Sequence, residues 1–273
     1  MRYRLLAIDL DETLLDANSS ISTRSREAIG AAVERGVFVI ISTGRMYQGS
    51  LPYAKELDLH PAWPVISYQG ALIKTVNTGE VLLHCPMTLP TAVAVAAAAE
   101  EKNEEICAYI DERCYINREN RYSQFYRERY NTPVEIVGRL DRFLERDGRR
   151  PTKLTIFNWD GDFAALKNFL RESHPNEFTM LRPYPFFLEF THQKATKGQA
   201  LRWLADKLDI RREEIISFGD SPNDLDMIQY AGLGVAVANA VPEVLEAADL
   251  VTAANIEDGV ARLIEEYISS GLL

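Results

Sequence analysis

Two aspartates one residue apart, Asp9 and Asp11, follow directly on the apolar run Arg4–Ile8 near the start of the chain. Thr43 stands just past a second apolar run, Val37–Ile41, and Asp220 just past a third, Ile215–Phe218. In an open parallel sheet, ligands bind beyond the carboxyl ends of the strands, so these polar tips fall on one edge. Residues two apart in an extended segment point the same way, which directs Asp9 and Asp11 to a common side. Three acidic side chains on one edge repel one another unless a cation stands among them. Carboxylate oxygens with positions left for water and phosphate suit Mg2+. Lys197 supplies positive charge. It opens a helix after an expected N-cap, Thr196, with Gln199 at capping-box spacing. The helix macrodipole disfavours a cation there, so a bound phosphate or the acidic cluster itself is its expected partner.

The elements that carry these residues alternate. Strand-like runs at Arg4–Ile8, Val37–Ile41 and Val65–Tyr68 are separated by helical stretches, the first from Ser22 as N-cap to Arg35, with Gly36 as its stop. The pattern returns with a helix at Thr196–Leu208, strands at Ile215–Phe218, Gly234–Val237 and Leu250–Thr252, and a last helix at Gly259–Ile268. Near-continuous apolar strands alternating with helices indicate a parallel sheet covered on both faces. The middle reads differently. Ile106–Ile110 and Arg113–Ile116 flank Asp111-Glu112 as a hairpin. Thr152–Trp159 and Phe186–Thr191 are further strands with a helix at Asp162–Arg171 between them, and Arg139–Pro151 reads as loop. The expected architecture is therefore an α/β domain interrupted by an α+β insertion at 84–190.

Asp9-Leu10-Asp11-Glu12-Thr13-Leu14, Ser42-Thr43-Gly44-Arg45, Lys197-Gly198 and Gly219-Asp220-Ser221-Pro222-Asn223-Asp224 occur in that order. Together they resemble the haloacid dehalogenase-like phosphatase superfamily. The insertion after the third strand resembles its type-II cap branch, the Cof-type sugar-phosphate phosphatases. The likeness runs the length of the chain, including Asp258-Gly259-Val260-Ala261. It implies a Rossmann-like, doubly wound parallel-sheet core (1–83 and 191–273) and a substrate-selecting α+β cap of type C2B (84–190). It implies Mg2+-dependent hydrolysis of small phosphorylated metabolites, sugar phosphates foremost, through an aspartyl-phosphate. Asp9 matches the nucleophile and Asp11 the general acid/base. Leu10, Thr43, Gly44, Lys197 and Asn223 match phosphate-contacting positions. Asp220 matches a Mg2+ ligand alongside Asp9 and the backbone carbonyl of Asp11, and Asp224 a supporting acid. Two positions depart from the branch: Glu12 stands where glycine is commonest, and Gln69 where asparagine usually precedes Gly70.

The same resemblance leaves room for a phosphotransferase or phosphomannomutase-like enzyme, in which an alcohol replaces water as acceptor. A phospho-acceptor signalling domain also combines acids, a hydroxyl and a lysine, but is shorter and places its lysine last. Other features narrow the field. The net charge of −10 argues against nucleic acid as partner. No apolar run approaches the ~20 residues that span a bilayer. No run near the start suits a secretory signal, so the cytoplasm is the expected location, and no oligomeric partner is indicated. Cys85, Cys107 and Cys114 show no metal-binding spacing and read as reduced thiols. His60, His84, His174 and His192 form no triad or metal pattern. Arg45 reads equally as a substrate contact or a partner of the acidic edge, and Asn239 as the cap of the following helix. In the insertion, Arg113, Arg118, Arg121, Arg127 and Arg129 alternate with Tyr115, Tyr122, Phe125, Tyr126 and Tyr130. They read as surface and core, with one or two arginines near a substrate. Pro183 to Phe187 reads as a turn into a strand.

Overall fold

The computed structural model describes residues 2–121, 123, 124, 127, 132–182 and 185–273. The expectations placed on Tyr122, Phe125, Tyr126, Arg129, Tyr130, Pro183 and Tyr184 lie outside the described residues. The chain divides into two compact units, one of residues 1–83 and 196–273, the other of residues 84–195.

The first unit is built on an eight-stranded sheet. Its strands are β1 (Leu5–Ile8), β2 (Phe38–Ser42), β3 (Pro64–Ser67), β4 (Leu72–Thr75), β5 (Val81–His84), β12 (Ile215–Gly219), β13 (Leu233–Ala236) and β14 (Leu250–Val251). The order is β14-β13-β12-β1-β2-β3-β4-β5. All neighbours from β14 to β3 run parallel, and β4 returns antiparallel to β3. The chain leaves β1 toward β2 and later resumes on the other side of β1 at β12. That reversal of direction is the switch point at which such sheets open a crevice. β1 is buried along its whole length, as expected of a central parallel strand covered on both faces.

Helix α1 (Thr23–Glu34) starts where Ser22 accepts a hydrogen bond from the Ser25 N–H, and Gly36 follows its end at φ 82°. α2 (Tyr47–Glu56) follows β2. One face of the sheet, with Leu5, Ala7, Ile40 and Ile66, packs on Ala200, Leu201, Leu204 and Met227. Those four come from α6 (Lys197–Leu208) and α7 (Leu225–Tyr230). α8 (Pro242–Ala247) follows β13, and α9 (Gly259–Ser269) packs against α1.

The second unit has a six-stranded sheet in the order β10-β11-β9-β6-β7-β8. The strands are β6 (Glu105–Ile110), β7 (Arg113–Ile116), β8 (Val134–Ile136), β9 (Lys153–Phe157), β10 (Phe178–Leu181) and β11 (Phe187–His192). β6 and β7 form the expected hairpin, with Asp111 and Glu112 both at positive φ in the turn. Helices α3 (Leu89–Glu101), α4 (Leu140–Asp147) and α5 (Ala164–Ser173) bury apolar side chains against Ile106, Ala108, Leu154, Ile156, Leu188 and Phe190. Strand alternation sends Lys153 and Glu189 to the opposite face, where they form an ion pair at 2.6 Å. The fold is thus an α/β parallel-sheet core interrupted by an α+β insertion.

Two expectations need correction. The stretch 139–151, read as loop, contains α4, which buries Leu140, Phe143 and Leu144 and ends at Gly148 with φ 76°. Its apolar residues sit at i, i+3 and i+4, a helical stripe set among charges. The insertion, read as ending at 190, continues past it: β11 runs to His192, and the compact unit reaches Ala195.

Candidate active site

The site is built at the switch point. After β1, Asp9 is still extended (φ −70°, ψ 157°), and its N–H donates to the Phe218 carbonyl of β12 at 3.1 Å. The chain then does not stay extended. Residues 10–14 wind into a wide turn closed by the Leu15 N–H on the Leu10 carbonyl at 2.8 Å, with Glu12 left-handed at φ 61°. The expected common direction of Asp9 and Asp11 does not follow from such a turn, and the two carboxylates take different partners. Asp11 is held by Arg45, with Nε on Oδ2 at 2.8 Å and Nη2 on Oδ1 at 2.5 Å. Tyr53 accepts from Arg45 Nη1 at 3.0 Å and its ring lies under the guanidinium. Of the two roles open to Arg45 in the sequence, the structure shows the ion pair with the acidic edge.

Asp9 is paired with Lys197. The ammonium donates to Asp9 Oδ1 at 2.5 Å and to Asp224 Oδ1 at 2.5 Å, and Lys197 is entirely buried. The lysine stands in the first turn of α6, where Thr196 accepts from the Gln199 N–H. The expected conflict with the helix dipole is met by the acidic cluster. Burial opposes its charge, but Asp224 and Asp9 override that and hold its pKa above the ordinary lysine value.

Asp224 is fixed on both sides. Its Oδ2 accepts from the N–H groups of Asp220 and Ser221, each at 3.1 Å, at the single turn Pro222–Asp224. It is therefore at once the helix-start acid and the second anchor of Lys197. Asp220 accepts from Thr13 Oγ1 at 2.8 Å and Ser221 Oγ at 2.7 Å. Asp9, Asp220 and Asp224 each offer a carboxylate oxygen within 4.8 Å of the others, the one such acidic group found among the described residues. Of the three acidic side chains expected at this edge, the trio keeps Asp9 and Asp220 and adds Asp224, while the Asp11 carboxylate goes to Arg45.

Three buried carboxylates around one ammonium leave an excess of negative charge. Burial first, then Asp224, pushes Asp220 up to about 6. Burial raises Asp9 well above the carboxylate range, Lys197 pulls it back, and the neighbouring acids add to the rise. A hard divalent cation relieves this repulsion, and an all-oxygen donor set fits Mg2+. Lys197 and two backbone N–H groups fix both oxygens of Asp224, whereas the oxygens of Asp220 meet only the rotatable hydroxyls of Thr13 and Ser221, so Asp9 and Asp220 are the carboxylates best placed to hold it.

Thr43 is fully buried at the end of β2. Its N–H donates to the Ile66 carbonyl, its carbonyl accepts from the Gln69 N–H, and its Oγ1 accepts from the Arg45 N–H. Gln69 is left-handed at φ 60° and lies over Gly44, where a Cβ would stand 2.3 Å from its Nε2. Its Oε1 accepts from Asn223 Nδ2 at 2.8 Å. Gly70 follows at φ 96°, and a Cβ there would meet the Thr196 carbonyl at 2.2 Å, just before Lys197. Leu10 is buried in the turn between the two aspartates. The fold therefore gathers Asp9, Lys197, Asp220 and Asp224 by direct bonds, Asp11 with Arg45, and Thr43 and Gly44 through Gln69 to Asn223. Sequence reasoning gives Thr13 no role of its own and reads Ser221 only as a helix cap. Their hydroxyls flank Asp220, and the signal was present in the threonine four residues after Asp9 and the serine beside Asp220.

With the switch-point crevice and its buried Lys–Asp cluster in view, comparison with known proteins defines the class. Residues 6–264 match the haloacid dehalogenase-like hydrolase family, and the chain belongs to it. The Bacillus subtilis protein YxeH is 35% identical over 268 residues, covering 97% of this chain and 98% of its own. The 5-amino-6-(5-phospho-D-ribitylamino)uracil phosphatase YwtE of Bacillus subtilis is 30% identical over 289 residues, covering 97% and 98%. Among solved structures, a haloacid dehalogenase-like hydrolase from Bacteroides thetaiotaomicron superposes with TM-score 0.86 at 29% identity, covering 97% of this chain and 99% of that one. The subclass IIB sugar phosphatase BT4131 superposes with TM-score 0.81 at 25% identity, covering 97% and 98%. The insertion is accordingly the cap of that subclass. No helix among the described residues is long and apolar enough to cross a membrane.

Proposed function

We propose that the protein is a Mg2+-dependent phosphatase of small phosphorylated metabolites, sugar phosphates foremost, working through an aspartyl-phosphate on Asp9. The observation that carries this reading is the grip of Lys197 on one oxygen of a buried Asp9, with Asp220 alongside. Lys197 takes Oδ1 and leaves Oδ2 to attack phosphorus. In the first step the Asp9 oxygen bonds to phosphorus as the ester P–O bond breaks, and Asp11, which must leave Arg45 to take up a proton, gives that proton to the departing alkoxide. In the second, water attacks phosphorus, Asp11 takes a proton from it, and the bond to Asp9 breaks to return the carboxylate and release phosphate. Thr43, Gly44, Lys197, Asn223 and the backbone at Leu10 hold the phosphoryl oxygens. Asp9 and Asp220, with the carbonyl of Asp11, would hold Mg2+. The ion supplies positive charge that offsets the anionic carboxylates and phosphate. Phosphoryl transfer needs alignment and charge neutralisation above all, which this set of groups provides.

The cap, residues 84–195, selects the leaving group in this reading. Lys153 and Glu189, paired on the face of its sheet opposite α3, α4 and α5, offer a donor and an acceptor suited to adjacent hydroxyls. The free thiols Cys85, Cys107 and Cys114 suit a reducing compartment, and the reading puts the enzyme in the cytoplasm. The test is free-phosphate release from a panel of phosphorylated metabolites, in Mg2+ and in EDTA, with Asp9→Asn alongside. Release that needs Mg2+ and is lost in a folded Asp9→Asn supports the reading. Equal turnover by that variant removes Asp9 as nucleophile, and an isomerised sugar phosphate in place of free phosphate makes the enzyme a mutase.

A further inference from the structure

The turn that carries Asp11 holds a residue in an unfavourable conformation. Glu12 sits at φ 61°, ψ 2°, and its side chain is exposed. A residue with a Cβ is costly there, where glycine is not, and persists when its surroundings over-determine it. The surroundings are two asparagine amides. Asn239 Nδ2 donates to the Glu12 carbonyl at 2.8 Å. Asn239 Oδ1 accepts from the Asn255 N–H at 2.9 Å. Asn255 Nδ2 in turn donates to the Leu15 carbonyl at 2.8 Å. One bond therefore fixes the middle of the turn and another the residue that closes it.

Both asparagines stand on anchored loops. Asn239 follows β13, and two residues on the Val241 N–H donates to the Asp220 carbonyl at 3.0 Å. Asn255 follows β14, and Thr252 Oγ1 bonds the Gly259 carbonyl at 2.8 Å behind it. The helix after Asn239 begins at Pro242 with Val241 as its N-cap, so Asn239 is not the cap that its type and place suggest. Its amide is engaged at both ends by the catalytic turn and its neighbouring loop.

We propose that Asn239, seated by Asn255, is a positioning residue that holds the left-handed Glu12 peptide and thereby presents Asp11 for proton transfer. The inference rests on the proposed role of Asp11. A net hydrogen bond of typical strength converts to roughly tenfold in an equilibrium or rate. Asn239→Ala therefore lowers kcat about tenfold and leaves KM within about twofold. Asn239→Asp falls at least as far. Its carboxylate keeps the bond from the Asn255 N–H but turns an acceptor toward the Glu12 carbonyl.

The decisive experiment is a double-mutant cycle with Glu12→Gly. Glycine adopts positive φ without help, so the loss from Asn239→Ala shrinks to about twofold in the Glu12→Gly background. The same cycle is read in urea midpoints, which need no substrate. There Asn239→Ala shifts the midpoint less when position 12 is glycine. Equal effects of Asn239→Ala in both backgrounds, in midpoint and in kcat, overturn the proposal. So does a wild-type kcat in Asn239→Ala. A wild-type protein that releases no phosphate from any substrate refutes the reading of the site instead. In that case the midpoint cycle still decides whether Asn239 holds Glu12.

Discussion

Replacing Lys197 with methionine keeps length and volume but removes the ammonium from the middle of the carboxylate cluster. Two contacts of 2.5 Å disappear, to Asp9 and to Asp224. Breaking a buried pair by removing one partner costs about 3–5 kcal/mol, and two partners at full burial put this change at the upper end, about 5 kcal/mol at pH 7.5. The volume-conserving swap adds little beyond that. The loss has a definite pH dependence. Burial raises the folded-state pKa of Asp9, and holds that of Asp220 at about 6 against an ordinary 3.8. A carboxyl with a raised folded pKa binds more protons folded than unfolded. Its contribution is full below the unfolded pKa and is lost as pH rises through the folded one. Lys197 lowers both groups, so its removal raises both and deepens that loss at neutral pH. The deficit against wild type therefore shrinks on acidification from pH 7.5 to 5, by up to about 1.4 kcal/mol per pH unit for each extra proton bound. Urea denaturation in EDTA, followed by circular dichroism at the two pH values, measures it. A deficit under about 1 kcal/mol at pH 7.5, or one that does not change with pH, refutes the electrostatic account of the cluster.

Mg2+ should stabilise the protein more at pH 7.5 than at pH 5, because Asp220, at about 6, must lose its proton to bind the ion. Thermal melts with Mg2+ and with EDTA check this, and an equal rise in Tm at both pH values contradicts it. Asp224→Asn should lower kcat by about a hundredfold or more and destabilise the fold by about 3 kcal/mol. Both oxygens of Asp224 accept, one from Lys197 and one from two backbone N–H groups, whereas an amide must turn its own N–H bonds toward one of those donors. Steady-state kinetics and urea midpoints on the variant read both effects, and near-wild-type values in both show that Asp224 is dispensable.

The sheet was legible because its central strands are short, almost wholly apolar runs between helices with marked ends. Ser22 and Gly36 around α1 are one example. The acidic edge was legible from Asp9 and Asp220, which follow the two strands on either side of the switch point. What spacing could not show is how the chain turns after a strand. Asp9 and Asp11 read as neighbours on an extended segment, but the chain winds into a turn from Leu10 onward and the Asp11 carboxylate goes to Arg45. The single turn at Pro222–Asp224 carries Asp224 back onto the Asp220 N–H and completes the buried trio. α4 was hidden because its apolar stripe has few members in a charged stretch. Asn239 looked like a helix cap because asparagine before a helix usually is one. Its true partners, Glu12 and Asn255, are remote in sequence or on another loop, and no local pattern reports them.

The central claim is that Asp9 carries the phosphoryl group during turnover. It is tested most directly by mixing the Asp11→Asn variant with an aryl phosphate that the wild type hydrolyses, quenching in acid within a turnover, and mapping peptides by mass. The amide that replaces the Asp11 carboxylate can neither protonate the leaving group nor activate water, so with an aryl phosphate, whose leaving group departs without a proton, the account predicts one phosphoryl group on the peptide containing Asp9, in Mg2+ and not in EDTA. It predicts none when Asp9→Asn is combined with it. A variant that still turns over substrate with no phosphopeptide at any quench time, or one phosphorylated at another residue, contradicts the account.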